Sequence, residues 1–351
     1  MTKKENPVEG TGSLIHSLPK PMIEKSFDRD VEVEKYLNEG GILAKIYLMM
    51  RASPKIVEDA FNNVIEPLKN QKNIMLFNVK LFEISRSADF LGAIEIELLA
   101  RDFRTFTDVV MRYGPVRVDL IEPGKIFLSV SHAQNILADV SAMQKTLMAH
   151  VASALKDNEK VLSPWDILPE ETEPGKSGKF DSNKISAVMF IETQHEEKEI
   201  LEKIVENKIA RIKGDKNINL IDISDYGVEK CSEIVGYEDK EDEEYEEVEE
   251  DEEIEEEYDF YSDVLEVKFE VTAFRKLLNT VMKYQASGIE ITGSGDINLS
   301  REQANLLLGD VIKTGQMLSE QLQLLLSDPK RKAAYDAAIQ ESEDGCGTCK
   351  K

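Results

Sequence analysis

The chain has 351 residues, 41% of them apolar and 32% charged, and a formal net charge of −25. That length gives two domains of ordinary size, each able to bury its own core, and the acidity argues against direct nucleic-acid binding, which needs clustered lysines and arginines. No uncharged run reaches the roughly 18 residues of a membrane span, Met1 to Gly12 leads into no apolar leader segment, and three cysteines are too few for a disulfide framework, so a cytoplasmic protein without a membrane partner is expected.

Residues 1–43, with Pro7, Gly10, Gly12, Pro19 and Pro21, read as an extended segment. A first unit over 44–156 opens with a strand from Lys45 to Ala52, and Ser53-Pro54 supplies an N-cap with proline at the first helical position. The helix that follows carries Ile56, Val57, Ala60, Phe61, Val64 and Leu68 at helical spacing, and Asn70 to Asn73 ends it. Ile74–Ile84 and Leu91–Leu99 read as a hairpin, the second strand alternating Ile94, Ile96 and Leu98 with Glu95 and Glu97. Asp102 starts a helix through Phe103, Phe106, Val109, Val110 and Tyr113 that stops at Gly114-Pro115. Strands Val116–Ile121 and Ile126–Leu128, turned at Pro123-Gly124, and a helix from Ser131 to Leu147 close the unit.

Residues 157–183 form a Pro/Gly/Glu-rich linker that holds the only tryptophan. Trp165 either tucks against its own domain or anchors a partner. A second unit over 184–328 repeats the first, for Ile94–Val140 aligns without a gap onto Leu265–Val311, with 14 identities in 47 positions at an offset of 171. Chance would give about three at ordinary residue frequencies. Upstream, Lys72-Asn73-Ile74 sets against Lys216-Asn217-Ile218 at an offset of 144, so the second copy holds 27 extra residues between the two blocks. The expected fold is α+β, a tandem duplication of a ferredoxin-like plait, βαββαβ plus a small strand and helix.

The extra residues carry an acidic insertion at 237–259. From Glu238 to Asp259 there are 17 acids and one lysine, so this run holds −16 of the net charge and leaves −9 elsewhere. So many carboxylates repel one another and cannot build a core, which predicts a solvated segment. Glu243, Glu244, Glu246, Glu247, Glu252 and Glu253, with the interleaved Tyr245, are the candidate contacts for a basic protein surface. The competing reading is a loop that only improves solubility. No D-x-D-x-D-G loop with a twelfth-position carboxylate is present, so no calcium site is expected.

The tail, 329–351, carries Cys346-Gly347-Thr348-Cys349. One such pair supplies two thiolates where structural zinc takes four ligands, so Cys346 and Cys349 are either inert, a metal site shared across a dimer, or a thiol-exchange pair. His16, His132, His150 and His195 are scattered, and His132 falls at a helix start whose second-copy counterpart, Ser300-Arg301-Glu302-Gln303, is a capping box. Gly293-Ser294-Gly295-Asp296 lacks the lysine of a phosphate loop and reads as a turn. The repeated Arg104/Arg275, Glu95/Glu266 and Asp139/Asp310 are expected to pair locally, each arginine with a neighbouring strand's glutamate, rather than frame a cleft.

The segment Arg112-Tyr113-Gly114-Pro115-Val116-Arg117-Val118-Asp119-Leu120-Ile121-Glu122-Pro123, followed by Ile126 and a helix, resembles the C-terminal extension of WYL-domain transcription regulators. In the second copy Tyr284-Gln285-Ala286 and Gly293-Ser294 replace the Tyr-Gly-Pro and Glu-Pro pairs. The resemblance implies a ferredoxin-like plait used for dimerisation or effector sensing. The family's winged helix and WYL domain have no counterpart here, so neither DNA binding nor any functional residue carries over.

With no acid–base pair, nucleophile or closed metal site legible, the chain reads as a non-enzymatic interaction or assembly module without a cofactor, its acidic arm recruiting a basic partner, and a homodimer is a further expectation. A small-ligand sensor with its pocket between the copies is the second reading, and thiol or metal chemistry at the tail the third.

Overall fold

A computed structural model describes residues 19–27, 32–86, 89–154, 184–235, 256–293, 295–329, 331–333 and 335. The chain is mixed α/β with antiparallel sheets, and it divides into two units, residues 1–143 with 295–317 and residues 144–294 with 318–351. Among the described residues no helix is long and apolar enough to cross a membrane.

The sheet of the first unit holds β1 (Ile23–Ser26), β2 (Ile42–Ala52), β3 (Ile74–Arg86), β4 (Phe90–Ala100) and β5 (Arg117–Glu122), in the order β1-β3-β4-β2-β5 with every pair antiparallel. Helices α1 (Val33–Asn38), α2 (Val57–Lys69) and α3 (Phe103–Tyr113) lie between the strands in sequence. On α2, Val57, Phe61, Ile65 and Leu68 are buried, and on α3 Phe103, Phe106, Val109 and Val110, the stripes that helical spacing places on one face. Each large apolar side chain so buried contributes about 1.5–3 kcal/mol.

Capping differs between these helices. The Asp102 carboxylate accepts from the Thr105 N–H at 2.7 Å, a side-chain N-cap at the expected place. At α2 the expected Ser53 cap is absent. The Ser53 carbonyl instead accepts from the Ile56 N–H at 3.0 Å, a backbone turn that delays the helix to Val57.

The second unit holds β7 (Ile185–His195), α5 (Lys198–Gly214), β8 (Asn219–Asp225), β9 (Glu229–Val235), β10 (Glu256–Val271), α6 (Phe274–Tyr284) and β11 (Gly288–Gly293). Its sheet order is β11-β7-β10-β8, with β9 also on β10, again antiparallel throughout. The ladders of the two units run in step. Val79↔Ile96 becomes Ile223↔Val267, and the register shift between Leu76 and Asn78 recurs opposite Lys268/Phe269. The shift between Leu43 and Ala44 on β2 recurs between Ile291 and Gly293 on β11.

The linker expected at 157–183 lies outside the described residues. Two of the unit boundaries fall within the long helices α4 (Val130–Ser153) and α7 (Arg301–Leu326), and the third falls between residues 294 and 295, just past β11. In the first unit β6 (Lys125–Leu128) pairs with β12 (Ile297–Ser300), the Asn305 side-chain oxygen accepts from the Leu120 N–H at 3.1 Å, and the Gln316 amide donates to the Pro115 carbonyl at 3.1 Å. In the second unit the Gln144 amide donates to the Met282 carbonyl at 2.8 Å. These bonds give partners to the β6 edge and to the backbone groups of Leu120, Pro115 and Met282, and β12 with the start of α7 serves the first unit. Ser300 and Gln303 form the expected capping box, at 2.8 and 3.2 Å, and the Ser129 hydroxyl accepts from the His132 N–H at 3.2 Å, the helix start read from the sequence.

Arg104 meets Asp139 at 2.9 Å, both in the first unit, so its partner is an aspartate of α4 rather than the strand glutamate expected. Glu95 pairs instead with Lys45 at 3.3 Å, across the strands β4 and β2.

Candidate functional site

In the first unit one strand, β3, fills the place that β8 and β9 share in the second. The break is local. Gly227 takes φ +85°, its N–H is accepted by the Asp225 side chain at 2.8 Å, and the chain turns out of β8 into β9. From there β9 pairs with the leading half of β10, Glu229↔Ser262 through Val235↔Glu256.

The pairing of β10 with β7 begins only at Tyr261↔His195. Residues 256–260 therefore pair with β9 alone among the described residues, a two-stranded ribbon reaching roughly 17 Å past the sheet. Its foot is tied by charge and hydroxyl, for Lys230 meets Asp259 at 2.6 Å and the Ser232 hydroxyl donates to Asp259 at 3.0 Å. Both bonds hold the Asp259 carboxyl below its usual range. The acidic insertion expected over 237–259 thus gives up its last four residues, Glu256 to Asp259, to β10, because a paired partner strand satisfies their backbone.

The ribbon ends at Val235 and Glu256, and residues 236–255 connect them. Glu243, Glu244, Tyr245, Glu246, Glu247, Glu252 and Glu253 lie there, outside the described residues, as do Trp165, Cys346 and Cys349. No group of three or more His, Cys, Asp or Glu that could hold a metal ion occurs among the described residues.

A second constellation sits beside the foot of the ribbon. Asp263, 3% exposed, lies on the buried phase of β10 with Leu265, Val267 and Phe269, and its Oδ1 has no hydrogen-bond partner among the described residues. Burial raises its pKa, and the neighbouring Asp225 carboxylate raises it further. Facing it from α5 is Lys208, whose ammonium donates to the Thr193 hydroxyl at 2.6 Å. Burial pulls the lysine down to about 8, with Lys145 of α4 adding repulsion and Asp263 offsetting part of it. Asp263 also borders a shallow cavity of about 360 Å³ with Phe190, Tyr226 and Cys231. The Tyr226 hydroxyl donates to Glu266 at 2.6 Å, and Lys268 holds the same carboxylate at 2.8 Å.

Asp225, Asp263 and Lys208 were not singled out from the sequence, yet a signal existed. An aspartate interrupts the inward alternation Asp263, Leu265, Val267, Phe269, and a lysine stands in the apolar stripe Leu201, Val205, Lys208, Ile212.

With this geometry in place, the model of the MJ0538 family matches residues 43–188 and 228–344. The chain belongs to the MJ0538 family. The MJ0538 match takes in the acidic run, Asp263 and the ribbon, and leaves out residues 189–227, which hold Lys208 and Asp225. No curated protein and no solved structure matches the chain.

Proposed function

We propose that the protein is a non-enzymatic interaction or assembly module, two ferredoxin-like plaits in tandem, whose acidic arm recruits a basic partner protein. The shared strand order and the repeated register shifts support the plait reading, because a βαββαβ chain wound antiparallel gives this order. The resemblance of Arg112–Pro123 to the C-terminal extension of WYL-domain regulators is consistent with a plait that serves association.

One observation carries the functional reading. The β9–β10 ribbon runs on past the point where β7 no longer pairs and ends at Val235 and Glu256, the two residues joined in sequence by 236–255, with 14 acids and one lysine. A solubility tract needs no stalk, whereas a recruiting element gains reach from one, and its field raises the encounter rate with a cationic surface.

The test is an immobilised full chain and a variant with 236–255 replaced by a short turn, each loaded with host lysate at low salt and eluted by a salt gradient. Basic proteins retained by the intact chain, lost on replacement and released by moderate salt are the expected result. Identical elution profiles would overturn the reading.

A further inference from the structure

The outer edge of β3 in the first unit is covered. β1 pairs along it, Ile23↔Leu81 through Ser26↔Asn78, with Glu24 to Lys80 at 3.4 Å and the Ser26 hydroxyl to Asn78 at 3.1 Å. The ladder register places Asp225 of the second unit where β3 has Leu81, Ser224 where it has Lys80, and Asp222 where it has Asn78. At this place the edge carries a different charge, and no described strand pairs with it.

An open edge presents a row of unpaired N–H and C=O groups, a template for another strand. Ile221, at the register shift of β8, is 58% exposed beside it. Three occupants compete. A second copy, β8 on β8 in full antiparallel overlap, would set Asp222 against its own like charge, which is destabilising across a strand pair. The residues of this chain that precede β7 as β1 precedes β2, at the offset of 143 that relates Ile46↔Ile96 to Met189↔Val267, are Asp166-Ile167-Leu168-Pro169. They would put an acid opposite Asp225 and a proline, which has no N–H to give, opposite Asp222. A cationic strand meets neither obstacle.

We propose that the outer edge of β8 takes up an extended lysine- or arginine-bearing segment of a partner protein as an added antiparallel strand, its cations opposite Asp222 and Asp225. This rests on the reading of a basic partner and says how that partner is held: the acidic arm attracts, and the edge binds. Backbone pairing supplies the affinity and the two aspartates the preference.

The experiment uses the full-length protein and a fluorescein-labelled eight-residue valine-rich peptide whose two lysines stand three residues apart, the spacing of Asp222 and Asp225 on β8. A twin peptide, N-methylated at every peptide nitrogen, keeps the charge and loses every backbone donor. The native chain is expected to bind the unmethylated peptide at least tenfold tighter than the twin. Replacing 236–255 by a short turn weakens both and preserves the ratio, whereas Asp222→Lys with Asp225→Lys brings the ratio to one. Hydrogen exchange on the native chain is expected to show β8 amides slowed by the unmethylated peptide alone, a readout that stands if the double variant does not fold. Equal binding of the two peptides, both weakened by removal of 236–255, overturns the edge site and leaves the arm reading standing. Binding of neither peptide at low salt overturns both.

Discussion

Gln285 adopts the left-handed backbone conformation of Gly114, 171 positions earlier: φ 53° and ψ 50° against φ 52° and ψ 52°. Each residue ends the helix of its unit, α6 and α3, and a side chain in this conformation is strained. Gln285→Gly is expected to stabilise the protein by about 1 kcal/mol. Gly114→Ala is expected to destabilise it by about the same amount, for conformational reasons only, since an added Cβ would meet nothing within 4 Å. Urea unfolding of both variants checks the pair, and effects of the same sign would contradict it.

The start of α6 offers the converse exchange. Ala273 stands where Asp102 caps α3, with an extended backbone, φ −157° and ψ 149°, close to that of Asp102, φ −155° and ψ 172°. Ala273→Asp is expected to add about 1 kcal/mol and Asp102→Ala to remove about as much. Thermal unfolding would show the midpoint moving up for the first and down for the second.

Lys208 ties stability to alkaline pH. Its folded pKa, about 8, lies below the ordinary lysine value of 10.5, so the unfolded chain takes up a proton before the folded one does as pH falls between those values. The buried ammonium therefore destabilises the fold fully below pH 8, and stability is regained as pH rises toward 10.5. Lys208→Met is expected to flatten that rise and to be the more stable form near neutrality, by on the order of 1–3 kcal/mol. The measurement is urea unfolding at a series of pH values; parallel curves for the two proteins would remove Lys208 as the cause.

Asp263 acts in the acid range. Its pKa is raised in the fold by burial and by Asp225, so as pH rises past the ordinary aspartate value of 3.8 the unfolded chain releases its proton first and stability is lost. Asp263→Asn keeps the shape and removes the charge. It is expected to abolish this loss and to raise the melting temperature at pH 7 by a few degrees, on the order of 1 kcal/mol. An unchanged pH profile would show that the carboxyl ionises freely in the native state.

The sequence by itself determined the elements and their repetition. Hydrophobic spacing placed α2 and α3, the paired offsets of 144 and 171 recur in the ladder registers, Asp102 proved to be the cap it resembled, and the acidic run falls between β9 and the first residues of β10. Only the tertiary structure decided where those elements are spent. Periodicity tells which face of a strand or helix is apolar, but burial is non-directional and does not say which unit the face will join. So β12 and the start of α7 belong to the first unit, Arg104 finds Asp139, and β1 covers the edge of β3 while β8 has no described counterpart. Asp263 and Lys208 lie 55 residues apart in the chain, and only the packing of α5 on the sheet brings the half-buried lysine within electrostatic reach of the buried aspartate.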